Sequence, residues 1–382
     1  MITDQRLSTK RPRVLALSSG GGHWVQLLRL RPAFEGSDVT YATVSRGYEP
    51  EVDGAKFRPI IDSNRDTKFK LILCFLSIAW SIIRIWPNTI ITTGAAPGFF
   101  AIFVGKILRR KTVWVDSIAN AEELSLSGQK TGKYVDHWLT QWEHLAKPEG
   151  PHYYGDVLGN DASGEAIADR KSLITDQGTS TQQTSSSRCS ITEAEDLSPQ
   201  SSDFNTQKSF RIFVTVGTDQ HFNRMVKIVD DWAANHPEIE IFVQIGETDY
   251  TPNNVPFTKF LEPSEFIAKV QSASLVVGHA GMGTILTALK CRKPVLVMPK
   301  LASLGEHRNE HQTATAKRLK ALNKINVASD EIELIKSLES LNSTDQAISD
   351  HQSAISHLPK AIISPYASQA LTDKLNEFIN RK

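Results

Sequence analysis

The sequence has little of what marks secreted, zinc-binding or nucleic-acid-binding proteins. Its three cysteines in 382 residues are far apart and form no C-x-x-C pair, which argues against a disulfide framework or a zinc site and suits a reducing cytoplasm. A formal net charge of +1 gives no support to bulk nucleic-acid binding, which needs a basic face. Residues 1–13 lack the apolar core of a signal peptide, so we expect a protein that is not exported.

Two catalytic motifs are also missing. The sequence contains no P-loop lysine motif, which disfavours an ATPase. It contains no D-x-D pair, which disfavours sugar transfer that depends on a divalent ion held by carboxylates. We therefore expect no metal site and, apart from the substrates, no cofactor.

Apolar β-branched stretches alternate with helical patterns in both halves of the chain. Residues 13–19 and residues 210–216 each form a predicted strand that runs into a glycine-containing loop. Such alternation predicts an α/β protein with doubly wound parallel sheets. We predict two domains, residues 1–159 and 209–382. Residues 160–208 are dominated by Ser, Thr, Gln, Asp and Glu and are expected to form a disordered linker.

Residues 277–284, V-G-H-A-G-M-G-T, form a predicted strand end, glycine turn and helix start. This geometry directs free N–H groups and the positive end of a helix dipole towards an anion. Gly281 and Gly283 would let a phosphate approach without a Cβ atom in the way, and Thr284 can add a hydroxyl donor. Met282, between the two glycines, is included in the predicted donor site. The alternative is a tight turn with packing glycines, because short glycine motifs are weakly specific. His279, at the strand end, is expected to be structural or to contact phosphate.

A polar cluster at residues 305–312 follows the next predicted strand, residues 294–298. Loops that follow neighbouring parallel strands open on the same sheet edge, where α/β folds bind ligands. The polar side chains could bind sugar hydroxyls, and Gly217 with Thr218 forms a further phosphate-binding turn. The predicted polar residues of this cluster are Glu306, Asn309, Glu310, His311 and Gln312.

The first half offers a candidate general base. His23 follows Gly20, Gly21 and Gly22 at the end of the first predicted strand, where it would face a cleft between the two domains. A histidine in that position suits removal of a proton from an acceptor hydroxyl. The alternative is that His23 caps or packs the helix start.

Two further loops of the first half contribute to the predicted site. Asp116, at the end of another predicted strand, is the alternative base or the partner of His23. Gly94 and Pro97 lie in the exit loop of the strand at residues 89–93 and are assigned, with the three glycines, to the acceptor site.

The segment from Lys68 to Trp86 is apolar almost all round and ends at Pro87. It is too short for the ~20 apolar residues of a membrane span. Two interpretations remain open: a buried helix of a large domain, or a helix in the membrane interface anchored by Trp80, Trp86 and basic flanks. Residues 99–104, followed by basic residues, repeat the apolar-then-basic pattern.

These motifs in combination resemble two known protein groups. The second half resembles the C-terminal domain of glycosyltransferase family 28, above all the small catalytic subunit of bacterial exopolysaccharide glycosyltransferase pairs. It is more distantly similar to the subunit that binds UDP-N-acetylglucosamine in the dolichol-linked N-glycan pathway. The motifs that carry this likeness lie at residues 215–218, 278–284, 293–299 and 306–312.

The first half resembles the partner subunit of those pairs, which recruits a membrane-bound lipid acceptor. The motifs that carry this second likeness lie at residues 18–23, 93–98, 116–117 and 124–128. Here the two subunits are joined with the acceptor half first, which is the order of the single-chain transferase that builds the peptidoglycan lipid precursor.

The resemblance implies a GT-B fold, in which two Rossmann-like domains face each other across a cleft, and an inverting, metal-independent glycosyltransferase. A UDP-sugar would bind to the second half, its diphosphate near Gly281, Gly283 and Thr284. The acceptor would be a polyprenyl-diphosphate-linked saccharide at the cytoplasmic face of the membrane, in exopolysaccharide or capsule biosynthesis. Thr287 stands where the peptidoglycan enzyme and the N-glycan subunit carry an acidic residue for the ribose, so the resemblance assigns no ribose contact at this position; the exopolysaccharide branch also lacks the acidic residue.

Two other functions are compatible with the sequence. A UDP-sugar 2-epimerase would use the same fold without a lipid acceptor, and a scaffold of a polysaccharide assembly complex would retain only a vestigial nucleotide site. The sequence does not identify the transferred sugar.

Overall fold

The computed structural model describes residues 11–62, 68–159, 210–218, 220–341 and 363–381. The chain divides into two compact units, Met1–Ala162 with Ser364–Lys382, and Ser163–Ile363. The linker predicted at residues 160–208 lies outside the described residues, so its disorder stays a prediction.

The first unit contains a seven-stranded, fully parallel sheet with the strand order β3-β2-β1-β4-β5-β6-β7. The central strands are short, apolar and buried on both faces, as expected when helices cover a parallel sheet. The strands are β1 (Arg13–Leu17), β2 (Asp38–Thr43), β3 (Lys56–Pro59), β4 (Thr89–Thr92), β5 (Lys111–Val115), β6 (His137–Thr140) and β7 (His152–Tyr153). The helices are α1 (Gly22–Arg29), α2 (Lys68–Ile85), α3 (Ala95–Ile107) and α4 (Leu126–Thr131), with 3₁₀ segments Arg31–Phe34, Arg46–Val52 and Glu143–Leu145.

The second unit contains a six-stranded parallel sheet with the order β10-β9-β8-β11-β12-β13. Its strands are β8 (Arg211–Thr215), β9 (Glu240–Gln244), β10 (Phe257–Thr258), β11 (Leu275–His279), β12 (Val295–Met298) and β13 (Asn326–Val327). Its helices are α5 (Asn223–Ala233), α6 (Pro263–Ser272), α7 (Met282–Lys290), α8 (His311–Ala321) and α9 (Glu331–Glu339), with a 3₁₀ turn at Ala302–Leu304. The predicted α/β class with two doubly wound parallel sheets is confirmed.

The C-terminal helix α10 (Gln369–Asn380) belongs to the first unit. Leu371 and Leu375 are fully buried, and the Asn376 side chain donates to the carbonyl oxygens of Ala33 and Glu35 at 3.0 and 3.2 Å. This differs from the predicted domain limits, which ended the second domain at residue 382. The amphipathic pattern predicted the helix, but an apolar stripe carries no information about which sheet it covers.

Arg29 holds the chain where it leaves and re-enters the first unit. Its buried guanidinium donates to the carbonyl oxygens of Val157, Leu158, Ser364 and Tyr366. Burial lowers the pKa of Arg29 to about 10, and Asp156 opposes that shift. One side chain therefore fixes two segments that are about 200 residues apart in the sequence.

Helix α2 is apolar on two faces. Cys74, Ile78 and Ile82 are fully buried against the sheet. The opposite face exposes a stripe at helical spacing, formed by Phe69, Ile72, Leu76, Trp80 and Ile83, with 53–71% of each residue accessible. The buried face fits the interpretation of α2 as a core helix. The exposed apolar stripe is the feature that the membrane-interface interpretation requires. In the described part of the chain, no helix combines the length and apolarity needed to cross a membrane.

Candidate functional site

The first candidate loop follows β1 at the switch point of the first sheet. β1 pairs with β2 on one side and with β4 on the other, so the loops after β1 and β4 lie side by side. Gly21 caps α1 with a φ of 62°, a left-handed conformation that favours glycine, and Gly22 is the first residue of the helix. The first N–H groups of α1 therefore open at this edge, together with Gly20.

Gly94 makes room for His23. A Cβ atom on Gly94 would lie 2.8 Å from Cε1 of the His23 ring, and the φ of Gly94 is 125°. Pro97, also predicted in this loop, is instead buried in the first turn of α3, where it contributes shape but no N–H group.

The orientation of His23 is fixed by Thr93. Nδ1 of His23 lies 2.7 Å from the carbonyl oxygen of Thr93, and the Thr93 hydroxyl donates to the carbonyl oxygen of His23 at 2.7 Å. Because a carbonyl oxygen only accepts, Nδ1 carries the proton and the lone pair is on Nε2. Burial lowers the pKa of His23, although Thr93 and the charge of Asp116 oppose the shift. The ring is thus held neutral, in the tautomer that a general base requires.

Asp116 is buried, and both its carboxylate oxygens accept hydrogen bonds inside its own loop. Oδ1 accepts from the Ser117 amide at 3.0 Å and from the Asn120 side chain at 3.2 Å, and Oδ2 accepts from the Ser125 amide at 2.9 Å. Burial raises the pKa of Asp116, and these hydrogen bonds oppose the shift. The arrangement favours a positioning role for Asp116 over the role of base.

Two buried glutamines, which the sequence interpretation missed, connect these loops. Gln26 donates to the Gly22 carbonyl oxygen at 3.1 Å and to the Ser117 hydroxyl at 2.9 Å. Gln141 donates to Gln26 at 2.9 Å and to the Asp116 carbonyl oxygen at 2.8 Å. A glutamine on the apolar face of α1 is the sequence signal that points to such a network, since a buried amide needs partners.

The second candidate loop lies at the switch point of the second sheet, between β8 and β11. The ring of His279 lies between two glycines. A Cβ atom on Gly217 would lie 2.5 Å from its Cε1, and one on Gly281 would overlap its Nε2. Gly217 has a φ of 78°, but Gly281 has φ −86° and ψ 133°, which any residue adopts. Gly281 is therefore required for the His279 ring, in addition to any ligand.

His279 is held neutral. Burial lowers its pKa to about 3, and the charge of Lys300 lowers it further. Lys300 follows β12, is fully buried, and donates to the carbonyl oxygen of Gln220 at 2.5 Å. A neutral imidazole and a buried cation thus lie beneath the turn, where a diphosphate would place negative charge.

Helix α7 begins at this turn. Gly281 is its N-cap, Met282 and Thr284 are buried, and Gly283 is partly exposed. Thr218 is exposed on the neighbouring loop. The predicted strand, turn and helix are confirmed as a geometry, with the N–H groups of the first turn available at the carboxyl edge.

Three side chains of the predicted polar cluster hold backbone together. Gln312 Oε1 accepts from the amides of Ala280 and Lys300 at 3.2 and 3.1 Å, which joins the ends of β11 and β12. Glu306 pairs with Arg224 at 2.8 Å and accepts from the Leu301 amide at 3.0 Å. Glu310 accepts from the Ala302 amide at 3.0 Å but is exposed.

The polar cluster was predicted as a loop, but His311 and Gln312 begin α8. His311 is partly exposed at the helix start, and the side chain of the exposed Asn309 accepts from the His311 amide at 3.4 Å. Glu310 and His311 therefore remain accessible beside the glycine turn, whereas Glu306 and Gln312 are buried.

Comparisons with known proteins match the two halves separately. Residues 17–157 match the family described as oligosaccharide biosynthesis protein Alg14 like, and residues 211–363 match the glycosyltransferase family 28 C-terminal domain. The UDP-N-acetylglucosamine transferase subunit ALG14 of Eremothecium gossypii is 24% identical over 166 residues, covering 35% of this chain and 74% of that protein.

Solved structures share the fold. UDP-GlcNAc 2-epimerase from Neisseria meningitidis, bound to UDP-GlcNAc, superposes with a TM-score of 0.60 at 11% identity, over 97% of this chain and 100% of that chain. The calicheamicin glycosyltransferase CalG4 superposes with a TM-score of 0.50 at 15% identity, over 97% and 99%. The predicted pair of Rossmann-like domains is confirmed, and the fold is shared with GT-B glycosyltransferases. The predicted likeness of the second half to family 28 is confirmed, and the first half matches the Alg14-like family.

Proposed function

Since this chain is a glycosyltransferase that joins an Alg14-like region to a glycosyltransferase family 28 C-terminal domain, we propose that it moves a sugar from a UDP-sugar to a polyprenyl-diphosphate-linked saccharide. The donor binds to the second unit and the lipid-linked acceptor to the first. The observation that carries the proposal is the glycine turn at the start of α7, inside the region matched to family 28.

The donor diphosphate binds at that turn. N–H groups of Gly283 and Thr284 and the positive end of the α7 dipole stabilise the charge that develops on the leaving UDP. Lys300 adds a positive charge behind the turn. Glu310 and His311, which are accessible, contact the sugar. Glu306 and Gln312 act indirectly by holding the loops that carry those contacts.

The acceptor diphosphate binds at the N–H groups of Gly20–Gly22 and the start of α1. His23 acts as the general base through Nε2. As the acceptor oxygen forms its bond to the anomeric carbon, the bond from that carbon to the UDP oxygen breaks and the hydroxyl proton passes to Nε2. This single displacement inverts the anomeric configuration and, as we propose it, requires no metal ion.

The exposed face of α2 supports the proposal that the first unit lies on a membrane surface. Its stripe of large apolar side chains is open, and Arg110 lies over the Trp86 ring at 4.5 Å, which puts a cation beside an aromatic anchor. We assign the protein to the inner face of the cell membrane as a peripheral enzyme of exopolysaccharide or capsule biosynthesis, where polyprenyl-linked acceptors are embedded.

The test uses the full-length protein, membrane lipid extract and a panel of radiolabelled UDP-sugars. UDP-N-acetylglucosamine is the first donor to examine, because the relative from Eremothecium gossypii is a UDP-N-acetylglucosamine transferase subunit. We expect label in the organic phase, an inverted anomeric linkage by NMR, and the same rate with and without EDTA. Conversion of the UDP-sugar in the absence of lipid would identify an epimerase instead, and the absence of both transfer and UDP binding would leave a scaffold.

A further inference from the structure

The glycine loop of the first unit is covered by the chain itself. The hydroxyl of Tyr48 accepts a hydrogen bond from the Gly21 amide at 3.0 Å, on the exposed side of the loop. A Cβ atom on Gly20 would lie 3.2 Å from Cε2 of the same ring and 3.4 Å from its oxygen. The phenol oxygen thus occupies a position in which an N–H group of the loop would otherwise bind an anion.

The ring of Tyr48 is supported from below. It packs against Trp24 of α1 with 5.4 Å between ring centroids, and Trp24 is fully buried. Tyr48 belongs to the 3₁₀ segment Arg46–Val52, whose start is capped by the Ser45 side chain, which accepts from the Gly47 amide. The phenol is therefore carried by the loop between β2 and β3 and is not part of α1 or of the glycine loop itself.

We propose that Tyr48 is a specificity-determining residue of the acceptor site, whose hydroxyl holds the Gly21 amide in the free enzyme and is displaced by the diphosphate of the lipid acceptor. The inference rests on the proposed function, which places that diphosphate on this loop. The Gly21 amide has one hydrogen, so the phenol oxygen and a phosphate oxygen compete for it. A charged diphosphate oxygen forms a stronger hydrogen bond with the Gly21 amide than the phenol does, and it therefore displaces the phenol. A neutral ligand forms a weaker bond and leaves the phenol in place.

The variant Tyr48→Phe removes the competing oxygen and keeps the ring on Trp24. The full-length protein is titrated with farnesyl diphosphate by calorimetry, with UDP at saturation so that the donor turn is occupied. We expect about three- to tenfold tighter binding by Tyr48→Phe, since one exposed neutral hydrogen bond no longer has to be broken. The affinity for UDP should be unchanged.

Tyr41→Phe is the matched control, because Tyr41 also packs on Trp24, at 6.1 Å, but its hydroxyl is turned to Arg31. Its affinity for farnesyl diphosphate should equal that of the wild type. Equal or weaker binding by Tyr48→Phe, or tighter binding by both variants, overturns the role of Tyr48 while the acceptor site stands. If the wild type itself does not bind farnesyl diphosphate, the proposed acceptor site fails and the role of Tyr48 fails with it.

Discussion

His23 and Thr93 hold each other by two reciprocal hydrogen bonds, each 2.7 Å long. One runs from the imidazole Nδ1 to the Thr93 carbonyl oxygen and the other from the Thr93 hydroxyl to the His23 carbonyl oxygen. The pair joins the start of α1 to the end of β4, and it sets the tautomer of the ring. With the proton on Nδ1, the lone pair of Nε2 is the one that can accept a proton.

Replacement of His23 by Ala should abolish most of the transfer without weakening UDP binding. We expect kcat to fall by about 10²–10⁴, the usual contribution of a general base. Because burial lowers the pKa of His23 and only the neutral ring accepts a proton, the wild-type rate should decline only below pH 6.5. His152→Ala, on β7 of the same unit, serves as the control, and a wild-type rate in His23→Ala would remove the assignment.

Gly94→Ala should displace the His23 ring while leaving the His23 side chain itself unchanged. The added Cβ would meet Cε1 of His23 at 2.8 Å, in a backbone conformation with φ 125°. Gly36→Ala imposes the same kind of strain, with φ 80° and no atom within 4 Å of the added carbon. Steady-state kinetics should show a loss of kcat in Gly94→Ala alone, while calorimetry shows equal UDP binding in both variants. Equal kinetic losses would mean that backbone strain, and not the His23 contact, is responsible.

The class of fold was predictable because the strands buried on both faces are mostly apolar, and because β1, β8 and β11 run into glycine-containing loops. The positions of both glycine loops were also predictable, because a loop that follows a parallel strand lies at the carboxyl edge of the sheet. The partners of polar side chains were not predictable. Glu306 and Gln312 are residue types that often bind sugar hydroxyls. In the structure, Glu306 instead pairs with Arg224, which is far away in the sequence, and Gln312 accepts hydrogen bonds from two backbone amides.

Gly281 shows the same limit. A glycine in a phosphate turn and a glycine beneath an imidazole look identical in a sequence, and only the position of His279 separates them. Tyr48 lies in a segment with no motif, so nothing in the sequence connects it with Gly21. The placement of α10 on the first unit depends on tertiary packing for the same reason.

Gly281→Ala should lose UDP binding because the new methyl group overlaps the His279 ring. The backbone conformation of Gly281 suits alanine, so strain contributes little. The double variant Gly281→Ala/His279→Ala removes the clash and should recover at least part of the lost affinity, measured by calorimetry with UDP. Affinity that stays lost in the double variant would mean that the methyl group excludes the diphosphate itself.

The triple variant Ile72→Gln/Leu76→Gln/Trp80→Gln should release the protein from liposomes. These side chains are 55–59% accessible, so their replacement removes an apolar surface without opening the core. Flotation with vesicles of a bacterial lipid extract measures the effect, and UDP binding should be unchanged. Ile332→Gln/Ile335→Gln on α9, which is also exposed, is the control. Flotation of the triple variant at the wild-type level would mean that α2 does not contact lipid.

The docking of α10 should weaken in acid through His137. The His137 ring stacks on Phe378 of α10 at 5.0 Å and 10°, and its Nε2 is buried without a partner among the described residues. Burial lowers the pKa of His137 to about 4, and the charges of His152 and Lys374 lower it further, against Glu377. In the unfolded chain the ring titrates near 6.5, so the unfolded state binds the proton first.

The contribution of His137 to stability is therefore complete above pH 6.5 and is lost as the pH falls to about 4. Because the ring is only partly buried, solvent screens its charge, and the loss is well below the value of about 1.4 kcal/mol for each pH unit that a fully buried group would show. His137→Phe keeps the stack on Phe378 and removes the titration, so its Tm should decline less than that of the wild type between pH 6.5 and 4. Parallel Tm curves for the two proteins would show that the charge on His137 is solvated in the folded state and does not weaken the docking of α10.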